Sequence, residues 1–230
     1  MSRIFLGLAA FAIVLLAANL LVGITIGDFG KASKDYQVRV RHHKQLVTAD
    51  SPSSTAPKAS LEQIKDARAA AEAAAKQLLK QRSGFWLHFW LGIIATSITL
   101  LVNCISVTYF IGTNRWCREV VDGFSLKQEL AERSQHLKKK AYPWSLTAIV
   151  LIITIAALGA ASDPVRQNPD AANWVEYHWG LAMLGIIVIA VCLWSQVVLI
   201  GKNFGLINEV LAAAEQERER RRAAREAAEG

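Results

Sequence analysis

The sequence predicts an all-α fold: a polytopic membrane protein with four transmembrane helices in a bundle and helical juxtamembrane extensions. Three observations predict it. Four stretches of the 230-residue chain carry no Asp, Glu, Lys or Arg: Ile4–Ile26, Phe85–Ile111, Trp144–Ala161 and Trp179–Ile200. Each is close to the roughly 20 apolar residues that a helix needs to cross a hydrocarbon core of about 30 Å. The segments between them are rich in Ala, Leu, Glu, Gln, Lys and Arg, the strongest helix formers. The chain is 53% hydrophobic and 20% charged, with a mean hydropathy of +0.25, only modestly beyond a soluble domain. The clustering, not the mean, excludes a soluble globular domain, a disordered chain and a disulfide scaffold.

The first transmembrane helix, 1–26, has the basic start of a secretory signal. Its apolar run passes the about 7–15 residues of a signal core and ends in Gly-Ile-Thr-Ile-Gly, without an A-x-A site, so it reads as a retained helix. Residues 27–83 form an external segment, a linker followed by a helix over 61–82. Thr48–Ser60 (TADSPSSTAPKAS) has no apolar period and reads as a flexible linker. Ser60 is the N-cap of the following helix, and Gln63 completes a capping box. Leu61, Ile64, Ala71, Ala75 and Leu78 recur at coiled-coil spacing, with Arg68 breaking the stripe. A stripe this rich in alanine is marginal alone, and the helix is expected to continue into the second span, 84–111.

A basic helical loop, 112–143, leads to the third span, 144–161. A short loop, 162–178, leads to the fourth, 179–200, and a charged helical tail, 201–230, ends the chain. In the tail Leu206, Ile207, Val210, Leu211 and Ala214 make an apolar face, followed by an Arg-rich run that reads as a solvated face attracted to anionic headgroups. No nucleic-acid reading motif accompanies the charge, and the +7 balance is juxtamembrane.

With both termini inside, the inside segments hold 14 Lys and Arg against 12 outside, too thin a margin to orient the chain. Position decides, because basic residues flanking the spans set orientation. Arg115 and Arg118 directly follow the second span and Lys138, Lys139 and Lys140 precede the third, whereas loop 162–178 carries one basic residue against three acids. The expected arrangement is N-in/C-in, in an inner or plasma membrane of bacterial type.

The second and fourth spans can be aligned at an offset of 90, which a duplicated hairpin unit would produce and which shared membrane composition would also produce. His88 falls on His178, Ala95 on Gly185 and Val107 on Val197. With a one-residue shift, Ile111-Gly112-x-Asn114 falls on Ile200-Gly201-x-Asn203. At 100° per residue, His88, Gly92, Ala95, Thr99 and Ser106 share one face with Asn103 beside it, and His178, Ala182, Gly185, Ile189, Cys192 and Gln196 share another. Small residues admit close helix approach in lipid, and polar groups there need partners, so these faces are expected to point inward. Thr147, Thr154 and Gly159 serve the third span in the same way, and Gly7, Ala10, Asn19 and Gly23 the first.

His88 and His178 are the sharpest chemical candidates. Two neutral imidazoles opposed across a bundle can ligate a b-type haem axially. The plainer reading places them in an interfacial aromatic belt with Trp86, Trp90, Trp174, Tyr177 and Trp179. His42, His43 and His136 are simplest as solvated side chains. Cys104 and Cys192 read as packing residues. Cys117, between Trp116 and Arg118 with Arg115 nearby, is the one thiol whose surroundings suggest a lowered pKa. The spans contain no Asp, Glu, Lys or Arg, against the usual signature of ion and proton pathways, and no hydrolase, Walker or Rossmann motif is present. Asp163, Asp170 and Glu176 belong to an ordinary polar connection.

The leading expectation is a non-enzymatic accessory or scaffold subunit acting through helix contacts. It needs no cofactor and takes membrane lipids, other membrane subunits or a second copy as partners. The alternative is a haem b electron-transfer subunit using His88 and His178. A third reading is a lipid-surface sensor built on the Arg-rich tail.

Overall fold

The computed structural model describes residues 2–25, 29–50, 60–162 and 171–229. Among them are five α-helices and no strand: α1 (Ser2–Thr25), α2 (Phe29–Ala49), α3 (Leu61–Phe124), α4 (Gln128–Ala161) and α5 (Ala171–Glu229). Helices α1, α3, α4 and α5 are long and apolar enough to cross a membrane.

The capping box at Ser60 is formed. The Ser60 backbone N–H donates to Gln63 Oε1 at 2.9 Å, and the Gln63 N–H donates to Ser60 Oγ at 3.2 Å. From there α3 runs unbroken for 64 residues through Ser83 and Gly84, because apolar sequence follows at once and each added residue closes one more backbone hydrogen bond. It ends on a Schellman turn: the Leu126 N–H bonds the Val121 carbonyl at 2.9 Å, the Ser125 N–H bonds that of Asp122 at 3.2 Å, and Ser125 takes φ 55°. The turn lets α4 start at Gln128.

Three boundaries differ from the sequence reading. Residues 29–49, assigned to linker, are helical as α2. Ala32, Tyr36 and Val40 recur on one face of this helix, and Ala32 and Ser33 on that side are buried. The loop 162–178 is shorter than expected because α5 starts at Ala171; the helix extends beyond the apolar run since its polar flank still gains backbone hydrogen bonds. Within 61–82 the buried residues are Ala67 and Ala74, while Leu61 is 69% exposed. The smallest side chains let helices approach most closely, so the alanines rather than Leu61 turn inward. Residues 51–59 of the expected linker, and 163–170 with Asp163 and Asp170, lie outside the described residues.

The chain divides into two compact units. The first comprises Met1–Leu16, Ile94–Ile155 and Met183–Gly230. Its buried residues on α1 are Phe5, Ala9, Ala12 and Leu16, and on α4 Ala131, Ser134, Ala141, Ser145, Ala148, Ile152 and Ile155, which along each apolar span recur every three or four residues as one helical face does. Gly7 and Ala10 on α1, and Thr147 and Thr154 on α4, face outward, contrary to expectation. Thr154 Oγ1 instead donates to the Val150 carbonyl at 2.8 Å, which removes its need for an interhelical partner. Beyond the apolar spans, Cys117, Leu206 and Val210 form a core flanked by Trp116, Val120, Leu130, Leu137 and Ile207. Arg133 on α4 binds Glu209 on α5 through two hydrogen bonds of 2.6 and 3.1 Å.

The second unit comprises Ala17–Ile93 and Ala156–Ala182. It holds α2, the first half of α3, the end of α1, the end of α4 and the start of α5, with both candidate histidines.

Candidate functional site

Two polar arrangements stand out, one in each unit. In the first unit the inward face of α3 buries Ala95, Thr99, Asn103 and Ser106, and that of α5 buries Ile189, Cys192 and Gln196, the faces expected from helical spacing. Asn103 and Gln196 have 0% exposure. Gln196 Nε2 donates to Asn103 Oδ1 at 2.9 Å, and Asn103 Nδ2 donates to the Thr99 carbonyl at 2.8 Å. Ser145 of α4 joins Ser106 at 3.5 Å. Further along, Asn203 Nδ2 donates to Thr113 Oγ1 at 3.0 Å and Asn114 Nδ2 to Ser134 Oγ at 3.4 Å. This seam of amides and hydroxyls links α3, α4 and α5 without an ionisable partner. Gln196 Oε1 is buried with no hydrogen bond inside the chain.

In the second unit the two histidines meet. The imidazoles of His88 and His178 stand 6.4 Å apart, centre to centre, with their planes at 72°. His88 Nδ1 lies 3.1 Å from the Asn19 carbonyl oxygen. A carbonyl only accepts, so Nδ1 carries the proton and Nε2 keeps its lone pair. Each ring rests against a glycine of another helix. A Cβ at Gly23 would lie 2.9 Å from His88 Cε1, and one at Gly159 would lie 3.0 Å from His178 Cε1. Helix α1 therefore supplies bare backbone to one imidazole, and α4 to the other. Sequence reasoning put Asn19, Gly23 and Gly159 on inward faces; that the glycines abut the histidines was not readable, since one-dimensional spacing does not say which helix is a neighbour. Among the described residues, no group of three or more His, Cys, Asp or Glu is placed to hold a metal ion.

The remaining candidates separate. Trp86, Trp90, Trp174, Tyr177 and Trp179 are exposed, and so are His42, His136 and Glu176. Cys117 is fully buried, and burial pushes its thiol above the ordinary cysteine value, opposed by a hydrogen bond with Ser134. That corrects the expectation of an activated thiol: Arg115 pairs with Glu119 at 2.8 Å rather than with sulfur.

Family models, curated proteins and solved structures show no match to this chain.

In the tail, Arg218 pairs with Glu215, Arg220 and Arg221 with Glu217, and Arg222 with Glu226. Arg221 also donates to the Phe124 carbonyl at 2.9 Å and lies 5.7 Å from the centre of that ring. Most of the run's positive charge is thus matched within its own helix, and one arginine caps the end of α3.

Proposed function

We propose that the chain is an integral membrane protein whose four spans, α1 and the apolar parts of α3, α4 and α5, form a bundle. It acts as a non-enzymatic accessory or scaffold subunit through helix contacts. Both termini lie inside, in an inner or plasma membrane of bacterial type. The bilayer reading is supported by the large apolar residues that point outward on every span, among them Val14, Leu21, Leu101, Val150, Ile187 and Trp194. In water such a surface would be an aggregation site, and in lipid it is solvated. The exposed tryptophans at 86, 90, 174 and 179 suit the headgroup level.

The observation that carries the scaffold reading is the unbroken course of α3 and α5, 64 and 59 residues long. At about 1.5 Å per residue, each exceeds a membrane crossing severalfold, so helical surfaces outside the bilayer are continuous with the spans. The spans bury amides, hydroxyls and small residues beside large apolar ones such as Phe110, Ile152, Ile189 and Leu193, a mixture that holds helices together. Lipids, other membrane subunits or a second copy are the partners.

Two measurements test this. With the native cysteines replaced by alanine, a membrane-impermeant maleimide added to intact cells should label Ala69→Cys and spare Ala223→Cys; the reverse pattern inverts the orientation. On a native gel in mild detergent the chain should migrate in an assembly larger than one copy. A single-chain particle from gently solubilised native membranes removes the scaffold reading.

A further inference from the structure

We infer that the His88–His178 pair is an axial ligand set for an iron porphyrin of the b type, a binding role separate from the scaffold reading. The spacing is the first support. A metal-bound imidazole nitrogen lies about 2 Å from its metal, so two rings bound trans to one ion stand roughly 6 Å apart between centres. The two rings stand at 6.4 Å. Their 72° interplanar angle is no obstacle, because an axial imidazole can turn about its bond to iron.

The second support is the tautomer. The hydrogen bond from His88 Nδ1–H to the Asn19 carbonyl aims the ring and leaves Nε2 as donor of an electron pair, the arrangement that second-shell partners impose on metal-ligating histidines.

The third support is the packing. Gly23 on α1 and Gly159 on α4 sit against the two imidazoles, and neither presents a side chain beside the ligands. Each imidazole is thus held from one side by backbone alone, and a Cβ at either glycine would push on the ligand ring. All five residues, Asn19, Gly23, His88, Gly159 and His178, belong to the same compact unit.

The number of ligands selects the group. A structural zinc ion takes four protein ligands and a catalytic one takes three, and no such set surrounds the pair among the described residues. Iron already held by four porphyrin nitrogens asks the protein for two. When bound, the group would supply a redox-active iron; His88 and His178 would hold it, and the Asn19 carbonyl would orient the His88 ring.

The full chain, purified in detergent, is titrated with hemin. A stoichiometric complex with a six-coordinate, low-spin spectrum is expected, with a sharp α band on reduction by dithionite. His88→Ala and His178→Ala should each abolish the low-spin signature while circular dichroism shows unchanged helix content. His178→Gly should regain it on addition of free imidazole, a rescue that a merely structural histidine would not give. Should either alanine variant fail to fold, Gly159→Leu, which leaves both histidines in place, should lower hemin affinity at least tenfold. Hemin partitioning only into the micelle, a low-spin spectrum that survives loss of both histidines, or binding of copper or zinc without hemin overturns the assignment.

Discussion

Gln196 reaches across from α5 to Asn103 on α3, its Nε2 donating to Asn103 Oδ1 at 2.9 Å where both side chains are fully buried. These are the deepest strongly polar groups of the spans, and each is the other's interhelical partner. A buried amide without a partner is costly, and this bond offsets part of that cost for both side chains. Asn103 gains a second bond to its own helix through the Thr99 carbonyl, whereas Gln196 Oε1 has none inside the chain.

Breaking the pair from one side should therefore be worse than removing it whole. Asn103→Leu is expected to destabilise by about 1–2 kcal/mol, near the upper range for interhelical bonds in lipid. Asn103→Leu with Gln196→Leu should cost less than the two single changes together. Reversible unfolding in mixed micelles, read as a double-mutant cycle, measures the difference. Strict additivity would mean the bond contributes nothing to the fold.

The glycines of the spans should divide sharply. Gly23→Ala and Gly159→Ala bring a methyl to about 3 Å from an imidazole and are expected to cost about 1–3 kcal/mol, the range for overpacking. Gly7→Ala meets nothing within 4 Å and should be neutral or slightly stabilising, because alanine favours helix over glycine. Equal shifts of the unfolding midpoint for all three would contradict the packing described for α1 and α4.

Ser125 ends α3 in the left-handed region, φ 55°, where a side chain is strained and glycine is not. Ser125→Gly should raise stability by about 0.5–1 kcal/mol and Ser125→Val should lower it by more. A thermal midpoint that falls for the glycine variant would show that the serine side chain has a role beyond the turn.

The Arg133–Glu209 pair confers a small acid sensitivity. The hydrogen-bonded guanidinium holds the Glu209 carboxyl below its ordinary value and raises its own. A depressed carboxyl contributes its stability above the unfolded value, about 4.3, and loses it as pH falls through the lower folded value. Between about pH 5 and about pH 3 the wild type should therefore lose slightly more thermal stability than Glu209→Gln. Both partners are half-exposed, so the effect is modest and should shrink in salt. Parallel curves for the two proteins would show the pair to be inert.

Helical periodicity marked the buried faces of α3 and α5 correctly, because in both spans the small and polar residues recur at one helical angle. On α1 and α4 it failed in part. Gly7, Ala10, Thr147 and Thr154 are small or polar yet face outward, since a threonine can return its hydroxyl to its own helix and a glycine exposes nothing that needs a partner. Helix α2 was missed for a different reason: Ala32, Tyr36 and Val40 do share one face, but they are set among basic residues and histidines beside a Ser- and Pro-rich stretch, and the whole segment reads as connection.

What the sequence by itself determined is the number and position of the apolar helices, the capping box at Ser60 and the two faces on which His88, Asn103, His178 and Gln196 lie. These follow from local physics: hydrocarbon thickness, hydrogen bonding along one chain and 100° per residue. Only the tertiary structure decided that Gln196 finds Asn103, that the two imidazoles stand 6.4 Å apart, and that Gly23 and Gly159 lie against them. Those are relations between residues far apart in the chain, and a helix carries no local record of which neighbour will fill the groove beside it.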